Sequence, residues 1–143
     1  VEISAKDMRA MARQMLEDIL KCPPIKKRIK QDLPPAKIEL KDLVDETKDY
    51  DFSPRQLQTT IRGQSLKYAR GYLTFVQGGK GKYKADYILT GRAYAKQLQS
   101  KNKASKYHIY TLWLKHIDTG VIVWQKDYET KRMVDQGMLY GRE

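Results

Sequence analysis

This 143-residue chain has a single cysteine and fewer acidic than basic residues. Its single cysteine, Cys22, excludes an internal disulfide framework and a multi-cysteine zinc site, because each needs at least a second thiol. No stretch approaches the roughly 18 apolar residues of a membrane-spanning helix, and no apolar leader of a secretory signal is visible. Seventeen Asp and Glu against twenty-eight Lys and Arg give a formal charge of +11. A negatively charged or strongly polar partner surface is therefore expected, and nucleic acid, an anionic membrane and an acidic protein face all fit. The length is that of one domain, residues 1–143, able to form a core without disulfide or metal staples. The chain opens on Val1 rather than Met, which leads us to expect that an export signal, lipid anchor or linker upstream has been removed.

Catalytic signatures are also missing. Gly78-Gly79-Lys80-Gly81-Lys82 follows a predicted strand but does not satisfy G-x-x-x-x-G-K-[ST], and no helix is predicted to open after Lys82 to meet a phosphate. His108 and His116 share one face of a strand, yet eight residues at about 3.3 Å each hold them roughly 26 Å apart, too far to ligate one ion. Asp45, Glu46, Asp49 and Asp51 lack the spacing of a calcium loop. There is no G-x-S-x-G, and Cys22, at a predicted helix end, has a structural reading rather than a lipidation or nucleophile reading. No catalytic residue, metal or cofactor is expected, and the chain is read as a binding protein rather than an enzyme.

The patterns present are those of an α+β domain. Ser4-x-x-Asp7 is a capping-box-like start, and Met8, Met11, Ala12, Met15 and Ile19 recur at helical spacing to about Lys21, where Pro23-Pro24 stops the helix. Ile25 to Leu33 reads as a basic connector and Pro34-Pro35 as an extended lead into a strand around Ile38 and Leu40. Asp45 to Phe52 reads as a polar, acidic loop. Ser53-Pro54 caps a second helix whose face is Leu57, Ile61 and Tyr68 and which Gly71 terminates. Tyr72 to Val76 is a short strand, followed by strands at Ala85–Gly91, Lys106–Ile117 and from Val121, the last two joined by an Asp118-Thr119-Gly120 turn. The expected order is helix, strand, helix, then four strands, in a mixed or antiparallel sheet of four to five strands flanked by helices. Along Lys106–Ile117 both faces are partly apolar, as in a strand covered on both sides, so Trp113 and Trp124 are placed in the core.

The word order of the last third is more specific than any one motif. A strand ending in Gly91, a Lys/Ser/Asn loop, a Tyr107-led strand running into Thr119-Gly120, then a β-branched run closed by Trp124, resembles the LpoB-like activators of class A penicillin-binding proteins. The likeness extends in order through Met8 to Leu20, Ala36 to Val44, Asp45-Glu46-Thr47-Lys48, Thr59-Thr60-Ile61-Arg62, Gly71 and Tyr72 to Val76. One departure is large: where that family places a helical segment between its second and third strands, this chain has only Gln77 to Lys84, with three glycines.

The resemblance implies a non-catalytic periplasmic domain, monomeric and tethered to the outer membrane through a lipid. It would bind the small regulatory domain of a class A, bifunctional penicillin-binding protein and stimulate peptidoglycan synthesis. It puts the partner-facing surface on the sheet and adjoining loops, where Arg92, Tyr94, Tyr107, Lys115 and His116 are the outward polar or aromatic candidates. Two other classes fit less well. A basic nucleic-acid-binding module would be expected to carry an RRM-type octapeptide or clustered basic residues, and neither is evident, so no nucleic-acid partner is expected. An envelope-assembly module of a secretion or flagellar machine shares the fold class without sharing the function.

Overall fold

The computed structural model of this chain describes residues 5–48, 53–76, 84–100 and 103–135, and for residues 98–100, 103–106 and 131–135 it describes the backbone. The methionine stripe forms α1, Ala5–Lys21, with Met8, Met11, Ala12, Met15, Leu16 and Ile19 all buried. Each large apolar side chain so placed contributes about 1.5–3 kcal/mol.

Pro23-Pro24 stops α1 as expected, and the same two residues open a further helix, α2, Pro23–Lys30. Proline lacks an amide that the first turn leaves unused in any case, and its fixed φ suits a helix start. The predicted basic connector is therefore helical over most of its length. Its end is a Schellman arrangement with Asp32 in the left-handed region at φ 54: Leu33 N–H donates to Arg28 O at 3.0 Å and Asp32 N–H to Ile29 O at 3.1 Å. Cys22 lies buried at the junction of the two helices, and burial pushes its thiol pKa up.

Next come β1, Ala36–Leu40, and β2, Val44–Glu46, then α3, Pro54–Tyr68, capped by Ser53, whose Oγ accepts from Gln56 N–H at 3.3 Å. Leu57 and Ile61 are buried on α3 as expected. Tyr68 is not: it sits on the surface with the Arg13 guanidinium 4.2 Å above its ring. Gly71, at φ 91, turns the chain into β3, Leu73–Val76. The last three strands are β4, Tyr87–Ser100, β5, Lys103–His116, and β6, Ile122–Asp135.

Six strands form one mixed sheet, with the order β3-β1-β4-β5-β6 and β2 paired to β4 beyond the end of β1. The pairs β1/β3, β1/β4 and β2/β4 are parallel, whereas β4/β5 and β5/β6 are antiparallel. Leu40 pairs with Leu89 and Val44 with Arg92, so β1 and β2 share one edge of β4 with a single extra residue between them. Within that insertion Leu43 turns inward and Asp42 accepts from Gln58 Nε2 on α3 at 2.9 Å. Val44–Glu46 is thus a strand where a loop is predicted. Gly91 does not end β4 either. It marks a close approach, because a Cβ there would overlap the Thr111 carbonyl oxygen and lie 3.0 Å from Leu112 Cα.

The buried core is assembled from one face of the sheet. From β4 come Tyr87, Leu89 and Ala93, from β5 Tyr110, Leu112 and Leu114, and from β6 Tyr128, all in one cluster with the inner sides of α1, α2 and α3. Asp18 of α1 fastens this layer to β6, accepting from Lys126 Nζ at 2.8 Å and from Tyr128 OH at 2.7 Å. Trp124 packs partly buried against the cluster, close to its expected place.

Candidate functional site

Because successive side chains of a strand point to opposite sides, the residues between the core positions line a second face. On β4 these are Ile88, Thr90, Arg92, Tyr94 and Lys96. On β5 they are Tyr107, Ile109, Thr111, Trp113 and Lys115. No helix among the described residues contributes to this side, and none of these side chains belongs to the core cluster.

Register fixes the layout. Arg92 stands opposite Thr111, which stands opposite Asp127. Tyr94 faces Ile109 and then Glu129, and Thr90 faces Trp113 and then Gln125. Val44 and Glu46 of β2 border Arg92 and Tyr94. Neighbouring rows are about 4.8 Å apart across strands and about 6.8 Å apart along one, so Arg92, Tyr94, Ile109 and Tyr107 form one contiguous patch. The Arg92 guanidinium lies 5.9 Å from the Tyr94 ring centroid, within reach of a weak cation–π attraction. Lys115 lies two residues beyond Trp113, at the end of the face where Ile88 and the half-exposed Ile122 are its partners.

Four of the five residues singled out in the sequence thus share this face. The fifth, His116, is turned to the other side. Its ring meets Tyr87 edge-on at 5.4 Å, and its Nδ1 accepts from Thr119 N–H at 3.3 Å, which ties it to the Asp118-Thr119-Gly120 turn. His108 is buried on the same side as His116.

Two participants were missed. Trp113, expected in the core, is half-exposed at the middle of the bare face, and Ile109 stands beside it. A signal was present: the set His108, Tyr110, Leu112, Leu114 faces the helices, while the alternate set ends in Lys115 and is too polar to be buried twice over. Aromatic, arginine and branched aliphatic side chains, half in water on a rigid sheet, have the composition of a protein-recognition surface. Among the described residues no three of His, Cys, Asp and Glu gather in the manner of a metal set. Of the two acids on β2, Asp45 is engaged locally, its Oδ1 accepting from both the Thr47 amide at 2.9 Å and its hydroxyl at 2.6 Å.

An open-faced α+β module with helices on one side of a mixed sheet defines the class. Within that class the chain has the fold of LpoB C-terminal domains. It superposes on the LpoB C-terminal domain from Salmonella enterica with a TM-score of 0.55 at 11% identity, covering 88% of this chain and 99% of that one. For the Escherichia coli LpoB C-terminal domain the TM-score is 0.56 at 12% identity, with the same 88% and 99% coverage. At these identities the likeness is one of fold. No protein-family model and no curated protein matches the sequence.

Proposed function

We propose that this chain is a non-catalytic activator that docks on the regulatory domain of a class A, bifunctional penicillin-binding protein in the periplasm and stimulates peptidoglycan synthesis. The observation that carries the reading is the agreement of fold with two LpoB C-terminal domains over 88% of the chain. The helix-free face supplies a surface of the right composition, with Arg92, Tyr94, Tyr107 and Lys115 around Trp113 and Ile109. No helix of the described residues is long and apolar enough to cross a membrane. In this reading the domain works as a monomer and its membrane link is a lipid anchor on the outer membrane.

Activation without chemistry has one physical route. The domain binds the active conformer of the synthase more tightly than the inactive one, and the difference in binding free energy shifts the population. A tenfold shift needs about 1.4 kcal/mol of difference, which one or two aromatic or arginine anchors can supply.

The test is to titrate the domain against a class A synthase from the same organism, with Arg92→Ala, Tyr107→Ala and His116→Ala made singly and their folding confirmed by thermal melting. Loss of about 1 to 3 kcal/mol of binding is expected for Arg92→Ala and for Tyr107→Ala, with a smaller loss for His116→Ala, which faces the turn. Unchanged affinity in the first two removes the bare face as the interface. Absence of binding by the unmutated domain removes the activator reading.

A further inference from the structure

The positive charge of the chain is concentrated in one stretch of its sequence. Between Asp51 and Asp86 there is no acidic residue, while Arg55, Arg62, Lys67, Arg70, Lys80, Lys82 and Lys84 all fall there, so about a quarter of the sequence holds seven of the eleven net charges. The basic residues, expected above to be scattered, are thus concentrated in this stretch of sequence. Its described part is α3 and β3, and between them lies a cleft of about 340 Å³ lined by Arg62, Ser65, Leu66, Arg70, Leu73 and Phe75 among others.

Two more features of the cleft call for a partner. Leu66 is 70% exposed and Tyr72 48% exposed, which leaves apolar surface in water beside the two arginines. Among the described residues β3 is also the terminal strand of the sheet, paired with β1. Tyr72 O accepts from Ala36 N–H on the β1 side, so by alternation Leu73 and Phe75 direct their main-chain groups outward. Leu73 N–H is taken up by Ala69 O. The Leu73 carbonyl and both main-chain groups of Phe75 face away from β1, and no strand among the described residues pairs with that edge.

We infer that this cleft is a second docking site, which takes an extended peptide segment of alternating acidic and aliphatic residues added as a strand to the free edge of β3. The free edge supplies a hydrogen-bond ladder and the cleft holds every second side chain. Arg62 and Arg70 offer charge-assisted, bidentate partners for carboxylates, and Leu66 and Phe75 cover the aliphatic side chains. Two outward carbonyls and one amide beside an apolar cleft floor suit the main chain of an extended polypeptide, whose alternating N–H and C=O groups can meet both kinds, better than the acceptor-only backbone of a polynucleotide.

The experiment uses the intact chain and a fluorescein-labelled nonapeptide of alternating glutamate and valine, read by fluorescence anisotropy. Saturable binding is expected, about tenfold weaker or worse in Arg62→Glu/Arg70→Glu, weaker in Leu66→Ala, and lost when the amides of alternate peptide residues are N-methylated. Thermal melts establish that the exposed substitutions leave the fold intact. Any one of four results would overturn the proposal: no saturable binding, equal binding of a lysine and valine nonapeptide, wild-type affinity in the double arginine variant, or tighter arginine-dependent binding of a dodecathymidylate. Loss of peptide binding in Tyr107→Ala would seat the peptide on the bare face and overturn it as well, whereas the synthase titration leaves this site untested and its outcome separate.

Discussion

The two faces of β4 and β5 are made from alternate residues of the same strands, and they have opposite fates. On the covered face Leu89, Ala93, Tyr110, Leu112 and Leu114 are wholly enclosed beneath the helices. On the bare face Tyr94, Tyr107, Ile109 and Trp113 are half in water and Arg92 is exposed. Adjacent residues share one strand and its backbone geometry, so the contrast reflects which side of the sheet the helices cover. Enclosed side chains contribute transfer and packing free energy to the fold. Half-exposed ones contribute a fraction of that and keep surface free for a partner. Stability resides mainly on the covered side of the sheet, and the other side is the one that the proposed function assigns to a partner.

The sharpest way to break this comparison is to truncate neighbours. Leu112→Ala opens a cavity beneath the helices and is expected to cost about 2–5 kcal/mol, whereas Trp113→Ala, one residue along, is expected to cost about 1–2 kcal/mol, since its side chain is partly solvated and leaves no enclosed cavity. Urea denaturation of the two variants measures the difference. Equal losses would show that the bare face is covered after all.

Gly91 tests the same contrast from the backbone. Its φ is unexceptional, but any Cβ points into the Thr111 carbonyl and the Leu112 main chain, neither of which can rotate away. Gly91→Ala is expected to destabilise by about 1–3 kcal/mol, while Thr90→Ala on the bare face should fall within about 0.5 kcal/mol of wild type. A Gly91→Ala variant as stable as wild type would mean that β4 and β5 move apart at low cost.

What the sequence made legible follows from how each signal arises. The α1 stripe, the Ser53 cap and the Asp118-Thr119-Gly120 turn each have a local cause, and each stands where expected. α2 was hidden because Pro23-Pro24 serves equally as a stop and as a start, and because its C-terminal signal is Asp32 rather than Gly. β2 escaped because three exposed residues with two acids resemble a loop, and only pairing with β4 makes them a strand. β4 was cut short at Gly91 because glycine was read as punctuation rather than as a close approach. The octet Gln77 to Lys84 lies, but for Lys84, outside the described residues. At the candidate site Arg92, Tyr94 and Tyr107 could be picked out as outward-facing. That His116 faces the other way, and that Trp113 does not join the core, depend on which side the helices take, and strand periodicity alone does not encode that choice.

A smaller effect than that of Leu112 or Gly91 is expected at the contact that keeps the covered face covered. α1 is held to β6 by Asp18, which accepts from Lys126, Tyr128 and Gln14. Burial pushes its carboxyl pKa up, and the hydrogen bonds from Lys126, Tyr128 and Gln14 together outweigh it, so it sits below the ordinary value. Tyr128 moves the other way: burial first, and then the hydrogen bond and charge of Asp18, push its phenol well above the ordinary value near 10. A depressed carboxyl contributes stability that is present above its unfolded pKa, near 4, and is lost as pH falls through the folded value. A raised phenol contributes stability that is present below about pH 10 and is lost as pH rises toward the folded value. Tyr128→Phe should therefore cost about 1 kcal/mol near neutrality, nearly constant from about pH 5 to about pH 9 and shrinking at both extremes. Melts of wild type and variant across that range read the difference directly. A gap that persists undiminished above about pH 11 would show that the phenol makes no pH-dependent contribution, leaving Lys126 and apolar packing as what holds Asp18 and α1 to the sheet.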